Sequence, residues 1–309
     1  MVTTATPNVR LSALPPVVGR AGLRGALASE FTKIRSVRST YWTLGALFIV
    51  SVGLGIAITA GTASNMASNP GNEAGFDATQ ASLGAFFEIG QLIIAVLGAM
   101  VITSEYSTGM IRTSLTAQPR RGVVYAAKAI VFTAVTLVIS LVTAFVAFFI
   151  GQAIYSSKGI SASLFHTVTI PANANVTCNG PGPCTATFFG TDVISPSTVA
   201  TAIIGTALFV TIVALIAYGV GSILRHTAGA IATVIAFLFI IPILEQTLPD
   251  DWRWDIMRFL PDAATRVISV TVGPDNAHLW SAWPQLGVTA LWAAVLVGIG
   301  AYLFRTRDA

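Results

Sequence analysis

The feature that most constrains this chain is a set of six apolar stretches, each long enough to cross a lipid bilayer. A spanning helix needs about 20 predominantly apolar residues to cover about 30 Å of hydrocarbon. The stretches run over residues 41–62, 84–103, 124–154, 198–222, 228–247 and 283–304. Charged residues make up only 10% of the chain, well below the proportion typical of soluble domains. The sequence therefore predicts a polytopic membrane protein.

These stretches are predicted to be helices. Backbone groups in lipid must find their partners inside the protein, which only helices and closed barrels achieve. The stretches lack the short alternating pattern of barrel strands. No cleaved signal peptide is expected, because the first apolar run is long enough to span and lies far from Met1. The predicted fold is all-α, with six transmembrane helices in residues 41–309 after a disordered cytoplasmic tail at 1–19.

Residues 20–40 are predicted to form an amphipathic helix in the membrane interface. Its apolar residues recur at steps of four, four and three: Leu23, Leu27, Phe31 and Ile34. Basic residues take the other faces, which is typical of helices lying at the membrane surface. Tyr41 and Trp42 follow at the expected headgroup level. Two interpretations remain open: a simple juxtamembrane anchor, or an elbow helix that also touches a cytoplasmic partner.

The distribution of basic residues predicts the orientation. Most of the 17 lysines and arginines fall in segments that six crossings place on one side, whereas the opposite loops are richer in acids. The positive-inside rule then puts both termini in the cytoplasm, and the bacterial cytoplasmic membrane is the expected location. Nucleic-acid binding is disfavoured, since the basic residues are split among loops rather than gathered in one patch.

Cys178 and Cys184 both fall in one predicted outer loop rich in glycine and proline. A disulfide between them is expected, since it would close a small ring in an oxidising compartment. Two free thiols are the alternative interpretation. A zinc pair is disfavoured, because two thiolates leave a tetrahedral site half empty.

The segment 248–260 mixes tryptophans, aliphatic residues and both signs of charge, as a short helix at the outer interface would. It is predicted to re-enter the membrane, and a second short helix is expected from Pro261 onward. Four of its residues are the predicted extracellular gate: Trp252, Trp254, Met257 and Phe259.

Two acids lie within predicted spans. Glu88 and Glu245 each sit near the outer end of an apolar stretch. Intramembrane acids are functional candidates, here for a proton relay or substrate contact. The competing interpretation is structural, since both positions are close enough to the interface to reach water.

Catalytic motifs are missing from the sequence. The three histidines lie in different loops, and no phosphate-binding loop is present, so ATP would have to be used by another chain. No metal site is predicted. Gly219 and Gly221 are interpreted as helix-packing positions rather than a nucleotide site. The third stretch is long enough to extend past the bilayer and carry Arg121 and Lys128 out of the lipid.

The polar strip after the second stretch carries a family resemblance. Its spaced residues are Glu105, Gly109, Leu115, Pro119, Arg121 and Lys128. The strip resembles the cytoplasmic segment after the second span of ABC-2 type transporter permeases, with Met110 where that family commonly has threonine. The segment 29–38, which contains Glu30 and Lys33, is also similar to the start of such permeases.

The resemblance implies the membrane half of an ABC exporter that works with two ATPase subunits, which hold the ATP and magnesium, and with a second permease. It places a coupling helix after the second span against the ATPase, with Glu105 hydrogen-bonded to backbone groups or paired with Arg112. Arg120 and Arg121 would pair with acids of the ATPase. The implied interface comprises Glu30, Lys33, Glu105, Tyr106, Gly109, Arg112, Leu115, Pro119, Arg120 and Arg121.

The expected cargo is hydrophobic or amphipathic, such as a drug, an antibiotic or a lipid, because the spans offer few polar groups. Two alternatives belong to other classes. One is a membrane protein that uses the same scaffold for signalling or immunity without transport. The other is a secondary transporter driven by ions through Glu88 or Glu245, although no inverted repeat with broken helices supports it.

Overall fold

A computed structural model describes residues 22–68, 78–117, 120–159, 168–169, 193–194, 196–245, 247–249, 252, 256, 258–261 and 282–307. The helices are α1 Leu23–Ser36, α2 Arg38–Ser68, α3 Ala78–Ser107, α4 Met110–Ala117, α5 Arg121–Ser157, α6 Pro196–Leu224, α7 Thr227–Ile235, α8 Ile241–Glu245 and α9 Ala282–Thr306. A π-helical turn, Ala236–Ile240, joins α7 to α8. A two-residue antiparallel ladder pairs β1 (Val168–Thr169) with β2 (Val193–Ile194). The predicted tail at 1–19 lies outside the described residues.

Five of the described helices are long and apolar enough to cross a membrane: α2, α3, α5, α6 and α9. The stretch predicted as the fifth of six spans, 228–247, differs from the others. Its continuous apolar helix is the shorter Thr227–Ile240, and the helical path changes to a π turn before α8. Pro242 gives a physical reason, because proline lacks the N–H that would continue the α-helical ladder and π turns accommodate such interruptions.

Helices α3 and α6 form the centre of the bundle. In their most apolar windows 61% and 67% of residues are buried, against 22% for α2 and α9. Small residues permit the close contact: a Cβ added to Gly98 of α3 would lie 2.5 Å from the Ala214 carbonyl oxygen of α6. Gly219 likewise packs on the α9 backbone at Leu296. The packing interpretation of Gly219 is confirmed, since dense contact at small residues is how apolar helices associate in lipid.

Arginines bring the C-terminal ends of α6 and α9 together. Arg121 Nη1, at the start of α5, donates to the Arg307 carbonyl oxygen at 2.8 Å. Arg307 Nη1 donates to the Ile223 carbonyl oxygen at 3.3 Å. Arg225, in the turn after α6, reaches the Leu303 carbonyl oxygen at 3.4 Å. Helix ends carry unpaired carbonyls and a partial negative charge, so arginines stabilise them. We call this end of the bundle the basic end.

Candidate coupling site

Four charged side chains meet near the basic end, and three of them are buried. Lys128 Nζ lies 2.5 Å from Glu30 Oε2 and 2.7 Å from Glu105 Oε1. Lys33 Nζ lies 2.9 Å from Glu30 Oε1 and 3.3 Å from Glu105 Oε1. Each ammonium therefore contacts both carboxylates. We call Glu30, Lys33, Glu105 and Lys128 the ion quartet.

The ion quartet joins three helices that are distant in sequence. Glu30 and Lys33 are on α1, Glu105 is on the last turn of α3, and Lys128 is on the second turn of α5. The side chains of Glu30, Glu105 and Lys128 are less than a tenth exposed. An isolated buried charge costs several kcal/mol, so such groups persist only when they are paired and hydrogen-bonded. Two carboxylates and two ammonium groups give a neutral cluster that meets this requirement.

Lys33 is the one member with appreciable access to water, with 27% of its side chain exposed. Burial lowers its pKa, but the hydrogen bond to Glu30 and the charges of Glu105 and Glu30 outweigh burial and raise the pKa above its usual value. Lys33 is therefore charged at neutral pH. Its Nζ also donates to Ser114 Oγ at 3.0 Å, which adds α4 to the helices held by the ion quartet.

The short helix α4 lies where the coupling helix was predicted. The chain leaves α3 through Thr108 and Gly109, and Gly109 has φ +70°, a left-handed conformation that side chains other than glycine adopt only at a cost. Thr108 Oγ1 donates to the Ser104 carbonyl oxygen at 2.7 Å and completes the end of α3. Ile111 is buried against the core, whereas Met110 is about half exposed. One face of α4 is thus anchored to the bundle.

Tyr106 lies in the last turn of α3, a few residues before α4, and links the site to the basic end. The Arg225 guanidinium carbon lies 4.7 Å from the centre of its ring, a cation–π contact. Phe304 of α9 meets the same ring edge-on, with 6.5 Å between ring centres. Arg120 is exposed, and the neighbouring Arg121 is used within the chain on the Arg307 carbonyl. Of this pair, Arg120 is the more exposed.

A cavity of about 300 Å³ opens beside the ion quartet. All four charged residues line it, together with residues of α2 and α3 that include Thr43 and Ser104. Because the cavity adjoins the ion quartet, the helices that the quartet connects, α1, α3, α4 and α5, have free space next to its ion pairs.

The structure adds contacts to two expectations at this site. Glu105 was expected to pair with Arg112 or with backbone groups, and the described structure gives it two further ion-pair partners, Lys33 and Lys128. Lys128 was expected to leave the lipid on an overhanging helix, which stays a prediction; its side chain is enclosed by protein and only 6% exposed. Lys128 is enclosed because α1 folds back against α5 and supplies Glu30. The side chain of Arg112 and all of Pro119 lie outside the described residues.

Sequence reasoning did not assign Lys128 and Ser114 to the site. One signal was available for Lys128, which stands among alanines near the start of an otherwise apolar helix. A lysine in such surroundings needs a buried acid as its partner. Ser114 had no comparable signal, since its contact depends on how α4 folds against α1. Leu115, which was predicted, packs partly buried against the core.

The described part of the outer segment contacts α9. Trp292 Nε1 donates to the Phe259 carbonyl oxygen at 2.7 Å, and Gln285 Nε2 donates to the Arg258 carbonyl oxygen at 3.2 Å. Trp252 and the Phe259 side chain are mostly exposed. The other two predicted gate residues, Trp254 and Met257, lie outside the described residues. The turn 258–261 is therefore held against the side of α9 through its carbonyl groups.

The remaining predicted residues are not brought to the ion quartet. Glu88 is exposed on α3, about 25 Å along the helix from Glu105. Glu245 is the last residue of α8, and its side chain is not described. Cys178 and Cys184 lie outside the described residues, so the disulfide stays a prediction. Among the residues that the structure describes, no group of three or more His, Cys, Asp or Glu side chains is placed to hold a metal ion.

The fold and the sequence together define a multi-pass membrane protein with five long apolar helices and a polar helical segment after the second of them. Comparison with known protein families adds a specific assignment. Residues 26–178 match the family model described as ABC-2 family transporter protein. This match, over about half of the chain, confirms the predicted resemblance to ABC-2 type permeases. The matched region contains the whole ion quartet and α4.

Permeases of this family are membrane transport components that are not themselves catalytic, and the match implies an ABC ATPase partner. No curated protein matches the sequence closely enough to add a named relative.

Proposed function

We propose that this chain is the permease subunit of an ATP-driven exporter in a bacterial cytoplasmic membrane. Two copies, or one copy and a related permease, would form the pathway together with two separately encoded ATPases that bind ATP and magnesium. Helix α4 and the exposed Arg120 would form the surface that meets the ATPase. The family assignment supports this role for the segment after α3.

The observation that carries the proposal is the ion quartet. A movement imposed on α4 is transmitted through Ser114 to Lys33, and from Lys33 to carboxylates on α1 and α3. Lys128 extends the same connection to α5. Buried ion pairs hold their geometry closely because separating them leaves unpaired charges in a medium of low dielectric. The four helices would therefore move together when the ATPases close, as rigid-body transitions require.

We propose six crossings, with both termini in the cytoplasm. Helix α7 starts at the basic end, where Thr227 Oγ1 donates to Thr103 Oγ1 of α3 at 2.9 Å. Helix α9 finishes at the same end, beside Arg121. The chain must therefore travel to the far end between them. The 227–245 path, about 28 Å long if helical throughout, is close to the hydrocarbon thickness.

The proposed cargo is hydrophobic or amphipathic, because the spans are predominantly apolar. The turn 258–261 would act at the far end of the pathway as part of an outer gate, together with Trp252 and Phe259. Its hydrogen bonds to Gln285 and Trp292 would tie the gate to α9.

The test distinguishes binding of the ATPase from transmission of its movement to the membrane helices. The tagged full chain is purified from native membranes as wild type, Arg120→Glu and Lys33→Met, with Lys158→Glu as the control, because Lys158 is exposed at the opposite end of α5. Arg120→Glu should reduce the amount of ATPase recovered. Lys33→Met should retain the ATPase but lower ATP-dependent transport in proteoliposomes. Lys158→Glu should change neither.

Two results would overturn the proposal. One is that no ATPase accompanies the wild type under conditions that preserve other membrane complexes. The other is that Lys33→Met transports as well as wild type at equal ATPase occupancy, which would show that the ion quartet does not transmit the movement.

A further inference from the structure

A second cavity lies beside α1, and no residue of the ion quartet lines it. It occupies about 550 Å³ between α1, α2 and α5, within the range of small-ligand sites. Its walls are largely apolar, and its lining includes Phe31, Arg35, Tyr41, Phe48, Val135 and Ile139. We call this cavity the α1 groove.

The α1 groove has a polar end and an apolar end. Arg35 of α1 and two hydroxyl-bearing residues, Thr40 and Tyr41, line it near the start of α2. From Tyr41 to Phe48 the groove follows α2 for about 10 Å, which is less than one leaflet of hydrocarbon. Tyr41 and the following Trp42 are mostly exposed, as residues at the headgroup level are. An occupant with a polar head and an apolar tail matches this layout.

The charge of the α1 groove indicates which polar head group would bind there. Arg35 is the only charged side chain in its lining, and no ion pair of Arg35 occurs within the described residues. A guanidinium at the membrane surface pairs best with a phosphate or carboxylate, which it can contact through two parallel hydrogen bonds.

A second copy of this chain, seated symmetrically, cannot supply that anion. The helices that line the α1 groove contain a single acid, Glu30, and Glu30 is enclosed in the ion quartet. A two-fold contact brings the same patch of both copies together, so Arg35 would face no carboxylate. A lipid of the surrounding membrane supplies both the anion and the apolar tail.

We propose that the α1 groove binds an anionic phospholipid, with its phosphate on Arg35 and one acyl chain along α2 and α5. The site lies outside the α4 surface and does not depend on the proposed partnership with the ATPase. Anionic lipids attract basic segments at the membrane surface. In the α1 groove, this attraction would hold one lipid at a defined position.

Two glycines of α2 provide matched variants. Gly45 lines the α1 groove, and a Cβ added there meets no atom within 4 Å, so Gly45→Leu fills the groove without a clash at the point of attachment. Gly53 is equally open but does not line the groove, so Gly53→Leu is its control. Arg35→Gln removes the charge, and Arg24→Gln removes an exposed charge from the same helix outside the groove.

The experiment is native mass spectrometry of the purified full chain, titrated with phosphatidylglycerol or with phosphatidylcholine carrying the same acyl chains. Arg35→Gln should weaken the first phosphatidylglycerol site about five-fold, as expected for one basic residue near the surface. Gly45→Leu should weaken it at least about ten-fold, because two or more methylene groups lose their burial. Both controls should stay within about two-fold of wild type.

Several outcomes would overturn the proposal. Equal losses for Gly45→Leu and Gly53→Leu would mean that the groove is not the site. Equal binding of phosphatidylcholine and phosphatidylglycerol would remove the role of Arg35. Displacement by glycerophosphoglycerol, which has no acyl chains, would indicate a water-soluble phosphate ligand. A change in the dimer fraction of Gly45→Leu without loss of lipid would assign the groove to a second protein copy. The Arg35→Gln comparison stands even if Gly45→Leu folds poorly.

Discussion

Replacing Lys128 with methionine should strongly destabilise the protein, and the ion quartet sets the size of the effect. Methionine matches the apolar part of the lysine side chain but lacks the ammonium that lies 2.5 Å from Glu30 and 2.7 Å from Glu105. Both carboxylates are less than a tenth exposed and would share Lys33 alone. Removing one partner of a buried ion pair costs about 3–5 kcal/mol, and since Lys33 remains we expect about 3 kcal/mol.

The exposure of each lysine predicts a graded series. Lys33→Met should cost about 1–2 kcal/mol, because 27% of that side chain is exposed and water partly replaces the lost partner. Lys158→Met, at the exposed far end of α5, should change the free energy of unfolding by less than about 0.5 kcal/mol. The free energies come from unfolding of the purified chain by sodium dodecyl sulfate in mixed micelles, followed by tryptophan fluorescence.

A double variant tests whether the loss of stability in Lys128→Met comes from the carboxylates left without a partner. Adding Glu105→Gln to Lys128→Met removes one of the two carboxylates and leaves Glu30 paired with Lys33. The double variant should therefore recover about 1–2 kcal/mol of the loss rather than add to it. The reasoning is refuted if Lys128→Met costs no more than Lys158→Met, or if the second substitution makes the protein less stable still.

Two further predictions concern the ends of the bundle. Gly109→Ala should cost about 1–2 kcal/mol and speed hydrogen exchange in α4, because alanine is strained at φ +70°. Gly61→Ala, in ordinary helix with open space around it, should be neutral or stabilising, and equal effects would contradict the role given to the left-handed turn. Trp292→Phe should cost about 0.5–1.5 kcal/mol and raise exchange in the turn 258–261, since it removes the indole N–H donor. Trp283→Phe, exposed on the same helix, is its control; unchanged exchange in Trp292→Phe would show that this bond does not hold the turn.

Most of the long helices were predictable from hydropathy alone. The stretch at 124–154 became α5, Arg121–Ser157, and the stretch at 283–304 became α9, Ala282–Thr306. The difference at 228–247 has a local cause. Pro242 has little effect on the average hydropathy of the stretch, but it lacks the N–H needed for backbone hydrogen bonding. The helix changes to a π turn just before it. Among the described residues, five helices are long and apolar enough to span, and the apolar helix at this stretch, Thr227–Ile240, is shorter.

Part of the site was also predictable. Glu30 and Lys33 are three residues apart on one helix, a spacing at which side chains meet. The polar strip after α3 predicted a helix, and α4 lies there; the left-handed conformation of Gly109 was not predicted. The family match agrees with the resemblance inferred from the same strip.

The pairing of Glu30 with Lys128, 98 residues away, had no sequence signal that identified the partner. The same holds for Glu105 and Lys128, which are separated by 23 residues and lie on different helices. Arg112, the partner expected for Glu105, is nearer along the chain, but its side chain lies outside the described residues; the structure places two lysines beside Glu105.

Long apolar helices suited to a bilayer were predictable from the sequence, because hydropathy adds up along each helix whatever its neighbours are. Which of the few charges are enclosed together depends instead on how the helices pack. The energy of an ion pair depends on the distance between the charges and on how much water surrounds them, and both are set when α1 folds against α3 and α5.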